Sequence, residues 1–145
     1  MDLFTSMRIS ASGMNAQQTR MNTISSNLAN AESAASEAGG PYKRRDPIFT
    51  STPDRENFGE ILADEMEQNA QGVLVTEIQE DQKPPRMVYN PKHPLANPDG
   101  YVAMPNVNTV EEMANMISAS KSYEANVTAL NAAKSMAMRA LEIGK

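Results

Sequence analysis

"MRISASGMNAQQTRMNTISSNLANAES", residues 7–33, decides how the rest of the chain is read. Met7, Met14, Met21 and Leu28 recur every seven residues, and Ile24 falls on a companion position. Leu3, Phe4 and Ala11 widen the stripe, while Ser10 and Gln17 interrupt the companion row. A seven-residue apolar repeat marks a helix that lays its stripe along a second helix. Asp2 suits the N-cap. Gly13 weakens the helix by about 1 kcal/mol relative to alanine, and methionine in place of leucine makes the seam adaptable. The stretch closes on two amides, Asn27 and Asn30, with no nucleophile, metal-ligand spacing or phosphate loop. Asparagine tolerates the left-handed conformation that ends many helices, so the helix is expected to stop near residues 27–30.

A second helix long enough to be the partner stands at the other end. Asn108 precedes Thr109, Val110 and Glu111, an N-cap with an acid three residues on. A seam then runs through Met113, Met116, Ser120, Tyr123, Val127, Leu130, Lys134, Ala137 and Leu141, spaced alternately three and four. Gly144 is placed to end it. At ~1.5 Å per residue each helix is about 40–50 Å long.

Composition separates these ends from the middle. All nine prolines lie between Pro41 and Pro105, and the ends hold eight of the eleven methionines. The expected organisation is a helical arm over 1–30, a strand- and loop-rich centre over 31–107, and a helical arm over 108–145. The fold class is mainly α with a small β-rich centre (α+β), the two long helices packed as a coiled-coil-like pair. Segments 42–49, 72–78, 86–89 and 101–104 read as short strands. Residues 58–66 have apolar residues at helical spacing, or form an acidic loop. Residues 90–100 are turn chemistry, with Asn97, Asp99 and Gly100 at a tight turn.

The net charge of −5 is concentrated in the centre, and no basic face suited to nucleic acid is present. Lys43, Arg44 and Arg45, followed by Asp46, read as a solvated or intersubunit charge cluster rather than a polyanion site. The chain has no cysteine, which excludes disulfides and thiol chemistry. No apolar run approaches the ~20 residues that span a bilayer, and no cleavable signal is visible. His93, the single histidine, sits in a turn and reads as a structural hydrogen-bonding residue. Glu60, Asp64, Glu65 and Glu67 lack EF-hand spacing and read as a solvated face. No catalytic, cofactor or metal site is expected. A long helix with one apolar stripe must bury it, and the polar centre is too small to cover two. The seams therefore point to association: Met7, Met14, Met21, Ile24, Leu28, Met113, Met116, Tyr123, Val127, Leu130 and Leu141 are the expected assembly interface.

Residues 9–33, "ISASGMNAQQTRMNTISSNLANAES", resemble the N-terminal signature of the flagellar axial family of rod and hook proteins. Residues 89–136, "YNPKHPLANPDGYVAMPNVNTVEEMANMISASKSYEANVTALNAAKSM", are similar to the proximal-rod branch of that family. Residues 50–82 match poorly. The resemblance implies a structural subunit whose terminal helices form the inner tube of a helically polymerised rod. Asn27 and Asn30 would satisfy backbone groups where the chain turns away from the tube wall. It implies a drive shaft that transmits torque and encloses an export channel. The implied partners are further copies, other rod proteins, the membrane-ring or export-gate adaptor at the rod base, and the type III export apparatus. The implied place is the periplasmic basal body, reached without signal cleavage.

Two other functions compete. A soluble helical adaptor or export chaperone would take a partner's amphipathic helix into its seam. A small hydrolase would need His93 and Asp99 as a pair, which nothing in the sequence sets up. Circular dichroism separates the first two readings: an adaptor is fully helical alone, whereas a rod subunit has poorly ordered ends.

Overall fold

A computed structural model describes residues 3–35, 39–53 and 71–143 of the 145-residue chain. The expected features at Asp2, residues 58–66, the acidic cluster Glu60, Asp64, Glu65 and Glu67, and Gly144 lie outside the described residues. The elements are α1 (Leu3–Ala29), β1 (Arg45–Pro53), β2 (Gln71–Glu80), β3 (Arg86–Tyr89), β4 (Tyr101–Met104) and α2 (Thr109–Ile143). Two long helices thus enclose, in sequence, two separate antiparallel two-stranded sheets, β1–β2 and β3–β4. The class is α+β.

The helix ends follow local chemistry. Asn108 caps α2: its Oδ1 accepts the Val110 N–H at 3.1 Å, and its carbonyl accepts the Glu112 N–H at 2.9 Å. Helix α1 stops as expected but by another device. Among the described residues only glycines have positive φ, so no left-handed asparagine closes it. Instead the Asn30 side chain donates to the Ser26 carbonyl at 2.9 Å, and the Ser33 hydroxyl donates to Asn30 Oδ1 at 3.2 Å. The Ser26 carbonyl also accepts the Asn30 N–H at 3.1 Å, so backbone and side chain of one asparagine both close the last turn.

The helices run antiparallel. Asn27 meets Glu112, and Gly13 lies against Asn126. These contacts are fourteen residues apart on each helix, two heptads, in opposite directions. A Cβ built on Gly13 would stand 3.0 Å from Asn126 Nδ2, so glycine at this position permits close approach of the two helices.

The residues buried in the pair are small. Ala16, Ala119 and Ala133 are covered almost completely, with Ile24 as the large exception. Ser10 and Thr23 are also buried, each hydroxyl bonded to the carbonyl four residues back, at Ser6 and Thr19. In α2 the covered row runs through 112, 116, 119, 123, 126, 130, 133 and 137. It shares 116, 123, 130 and 137 with the expected seam. Its companion positions are Glu112, Ala119, Asn126 and Ala133; of the expected 113, 120, 127 and 134, Ser120 and Val127 are half-buried and Met113 and Lys134 are exposed. Small side chains and a glycine let the backbones close up, and the facing row shifts to the residues that allow this.

The strands β3 and β4 match their expected bounds. β1 begins three residues later than expected and extends to Pro53, and β2 gains residues at both ends. Tyr42 lies outside β1 because it is held elsewhere: its N–H donates to the Ser33 carbonyl at 3.1 Å. Thr76 is an extra residue on β2, since Ile48 pairs with Glu77 while Phe49 pairs with Val75. The hairpin lies lengthwise on α1. Its start is tied to Asn27, and Val73 N–H donates to Ser12 Oγ at 3.1 Å, fifteen residues back along the helix.

Residues 90–100 join β3 to β4. Gly100 N–H donates to the Asn97 carbonyl at 2.8 Å across Pro98 and Asp99, closing the expected turn. Gly100 has φ of +79°, and a Cβ there would stand 2.8 Å from the Tyr89 ring. Both the conformation and the space require glycine. The Tyr89 and Tyr101 rings pack edge to face with centroids 5.3 Å apart.

Candidate functional site

Four segments converge where α1 ends and α2 begins. Asn27, from the last turn of α1, is fully buried and uses its whole hydrogen-bonding capacity. Its Nδ2 donates to the Arg45 carbonyl at 2.8 Å and to Glu112 Oε2 at 3.0 Å. Its Oδ1 accepts the Arg45 N–H at 2.9 Å and the Tyr42 hydroxyl at 2.9 Å. Toward β1 the side chain therefore imitates a neighbouring strand, taking both backbone groups of one residue. These partners also fix which end of the amide is nitrogen, because rotating it would face oxygen against the Arg45 carbonyl and the Glu112 carboxylate.

Glu112 lies in the first turn of α2, where the helix N-terminus favours negative charge. Its side chain is 1% exposed. Oε1 accepts Arg44 Nε at 2.8 Å, and Oε2 accepts Asn27. Arg44 also reaches Asp46 at 3.1 Å. Burial pulls the Arg44 pKa down, but its bonds to Glu112 and Asp46 outweigh that and raise it above the ordinary arginine value. Burial pushes the Tyr42 phenol up, with Arg45 opposing the shift and Glu112 and Glu80 adding to it.

This arrangement divides the basic run. Arg44 binds Glu112 and Asp46, Arg45 binds Glu80 at 3.1 Å, and Lys43 stands 4.0 Å from the same carboxylate. Lys43 and Arg45 stay largely in water, with side chains 59% and 51% exposed, as a solvated cluster would, while Arg44 is drawn into the junction by Glu112. Arg45 also lies over the Tyr42 ring, 5.9 Å from its centroid.

Of the other anticipated residues, Met7, Met14, Met21, Leu28, Met116, Tyr123, Val127 and Leu130 are half-buried, and Ile24 is buried. Met113 is 58% exposed and Leu141 75%. They continue an outer flank with Val110, Ile117 and Met138, all of them exposed. Asn97, Asp99 and Gly100 form their turn away from the junction. Glu112, Arg44 and Tyr42 escaped sequence reading as a set. The one available signal was an acid in an apolar row at the first turn of α2.

His93 does not meet the needs of a catalytic base through Nδ1, which accepts the Leu95 N–H at 3.2 Å. An open groove of 440 Å³ between α1 and the β1–β2 hairpin is lined by Thr19, Asn22, Thr23, Ser26, Arg45, Ile78 and Glu80. It holds hydroxyls, amides and the Arg45–Glu80 ion pair. Among the described residues no three His, Asp or Glu side chains are grouped as a metal site. Among them, too, no helix is long and apolar enough to cross a membrane.

Over its whole length the chain is 43% identical to the flagellar basal-body rod protein FlgC of Bacillus subtilis (strain 168), covering all of both chains. The chain belongs to the FlgC family of flagellar basal-body rod proteins. The FlgC of Borreliella burgdorferi is 42% identical, with 99% of this chain and 98% of that one covered. That of Salmonella typhimurium (strain LT2) is 40% identical with both fully covered. Residues 7–32 match the family model for flagella basal body rod proteins, and residues 99–143 match the model for the C-terminal region of flagellar basal body rod FlgEFG proteins. The two matched segments contain most of α1 and α2 and include Asn27 and Glu112. Tyr42, Arg44 and Arg45 lie outside both.

Proposed function

We infer that the chain is a structural subunit of the flagellar basal-body rod. The observation that carries this reading, beside the full-length likeness to FlgC proteins, is the uncovered apolar flank of α2. Val110, Met113 and Ile117 are exposed near its start, and Met138 and Leu141 near its end. Val110 and Met138 are four heptads apart, as are Met113 and Leu141, so on a heptad-following helix both patches share one flank. Folding of one chain leaves this surface in water, and association with neighbours would bury it.

On this reading the arms 1–30 and 108–145 line an inner tube, and residues 31–107 sit outside it. Copies of the chain and other rod proteins join by head-to-tail contacts, which extend rather than close. The assembly interface combines the half-buried Met7, Met14, Met21, Leu28, Met116, Tyr123, Val127 and Leu130 with the exposed Met113 and Leu141, and Ile24 supports it from inside the helix pair. The rod encloses the export channel and transmits torque. The chain reaches the periplasm through the flagellar type III apparatus without signal cleavage. It meets the membrane-ring or export-gate adaptor at the rod base, and its role is mechanical rather than enzymatic. The engaged Nδ1 of His93 supports the last point.

The test is replacement of Leu130 or Met113 by aspartate in a motile strain. Burying an unpaired charge costs several kcal/mol, and the cost recurs at each copy. Expression should be normal, with motility lost and rods missing from isolated basal bodies. Normal motility in both strains would refute the interface. His93→Ala should swim normally, and a paralysed His93→Ala strain with intact rods would instead indicate chemistry.

A further inference from the structure

The junction contains an asymmetry. Asn27 and Arg45 tie α1 to β1 directly, so this attachment needs nothing from α2. Glu112 is the residue of α2 that enters it, and it contacts both parties: Arg44, one residue before β1, and Asn27 of α1. The carboxylate is buried and acceptor-only, and each oxygen takes one donor. We propose that Glu112 is a latch through which pairing of α2 with α1 sets the β1–β2 hairpin in its place on α1.

The physical chain is short. When α2 docks, Glu112 leaves water and requires compensation, because a buried carboxylate without partners is strongly disfavoured. Its neighbours supply this only if Arg44 lies at the start of β1 and the Asn27 amide points its nitrogen inward. The same amide orientation presents Oδ1 to the Arg45 N–H and Nδ2 to the Arg45 carbonyl. Docking of α2 thus selects the one amide orientation that also holds the strand. Conversely, a hairpin in place positions Arg44 to receive Glu112. The two events are coupled in both directions, as any pair of linked equilibria must be. A device of this kind holds the hairpin more firmly in its place once the helices have paired, and the pair more firmly once the hairpin is in place. It is a property of one chain and stands or falls apart from the rod reading.

The cysteine-free sequence offers a clean test. Gly13 and Asn126 face each other in the helix pair, and a Cβ at 13 would be 3.2 Å from Asn126 Cγ, so the Gly13→Cys/Asn126→Cys chain can be stapled by a disulfide. Amide hydrogen exchange is then read in residues 45–53 and 71–80 of the full chain, oxidised and reduced. With the junction intact, stapling should slow hairpin exchange roughly tenfold or more, within the range of coupling between contacting groups. In Glu112→Gln the shape is kept, but one donor meets another donor, and the slowing should fall to about a third of that or less. In Arg44→Met/Glu112→Met no charge is orphaned, so the stapled helices stay protected while hairpin exchange becomes the same in both states. No slowing with the intact junction, or equal slowing in the double-methionine chain, would overturn the latch.

Discussion

Along one row of α2, Glu112, Ala119 and Ala133 are covered; along another, Val110, Met113, Ile117, Met138 and Leu141 stand largely in water. The fully covered positions are small or polar, Met116, Tyr123 and Leu130 beside them are half-covered, and the outer row carries exposed bulk. This reverses the usual expectation that the largest apolar side chains fill the core. The inner row is built for closeness: alanines, with Gly13 opposite Asn126, let two helices approach until little space remains. Glu112 is admitted because two donors satisfy it, and Asn27, which meets it from α1, makes four bonds. The outer row is built for area that one chain does not use. Apolar bulk on α2 is therefore not a guide to what the single chain buries.

The contrast can be broken most sharply at the junction. Asn27→Asp keeps the shape but replaces the nitrogen that serves Glu112 and the Arg45 carbonyl by a charged oxygen. We expect destabilisation of about 3–5 kcal/mol, the cost of breaking a buried charged network, read by urea unfolding of the stapled chain. Two carboxylates then face each other, so one titrates above the ordinary range and the defect should ease as pH falls. An intermediate effect belongs to the inner row itself. Ala119→Leu should weaken pairing by about 1–3 kcal/mol through overpacking, whereas Met113→Asp on the outer row should change stability of the single chain by no more than ~0.5 kcal/mol. Equal effects in that unfolding assay would erase the distinction between the rows.

Smaller effects sharpen it. Tyr42→Phe removes one bond to Asn27 Oδ1 and should cost ~1 kcal/mol at neutral pH. The folded phenol has a raised pKa, chiefly through burial, above the ordinary value of 10.0. Its contribution is therefore fully present below pH 10.0 and is lost as pH rises through the folded pKa. The stability difference between the two chains should shrink in that alkaline range. The smallest change is expected from Gly13→Ala. Helix propensity favours alanine by ~1 kcal/mol, but the new methyl would sit 3.0–3.2 Å from the Asn126 amide. These oppose each other and should nearly cancel, leaving a change of ~0.5 kcal/mol or less. Gly13→Ala/Asn126→Ala removes the obstruction and should be the more stable chain. The two thermal midpoints compared directly decide this.

What is local can be read along the chain. The Asn108 cap, the bounds of β3 and β4, the turn at 97–100 closed by Gly100 and the existence of both long helices follow from hydrogen bonds and dihedral preferences spanning a few residues. The α+β class and the family resemblance were legible for the same reason, because each rests on contiguous stretches. Tertiary structure alone decided which of two adjacent rows on α2 turns inward. The rows at 112, 119, 126, 133 and at 113, 120, 127, 134 have the same period, and periodicity does not distinguish them. The choice depends on how closely two backbones approach, which Gly13 and the alanines settle together. It also depends on whether a buried carboxylate finds donors, and those come from residues 68 and 85 positions away in the chain. Local propensity carries no information over that separation, so the meeting of Asn27, Arg44 and Glu112 appears only when the chain has closed upon itself.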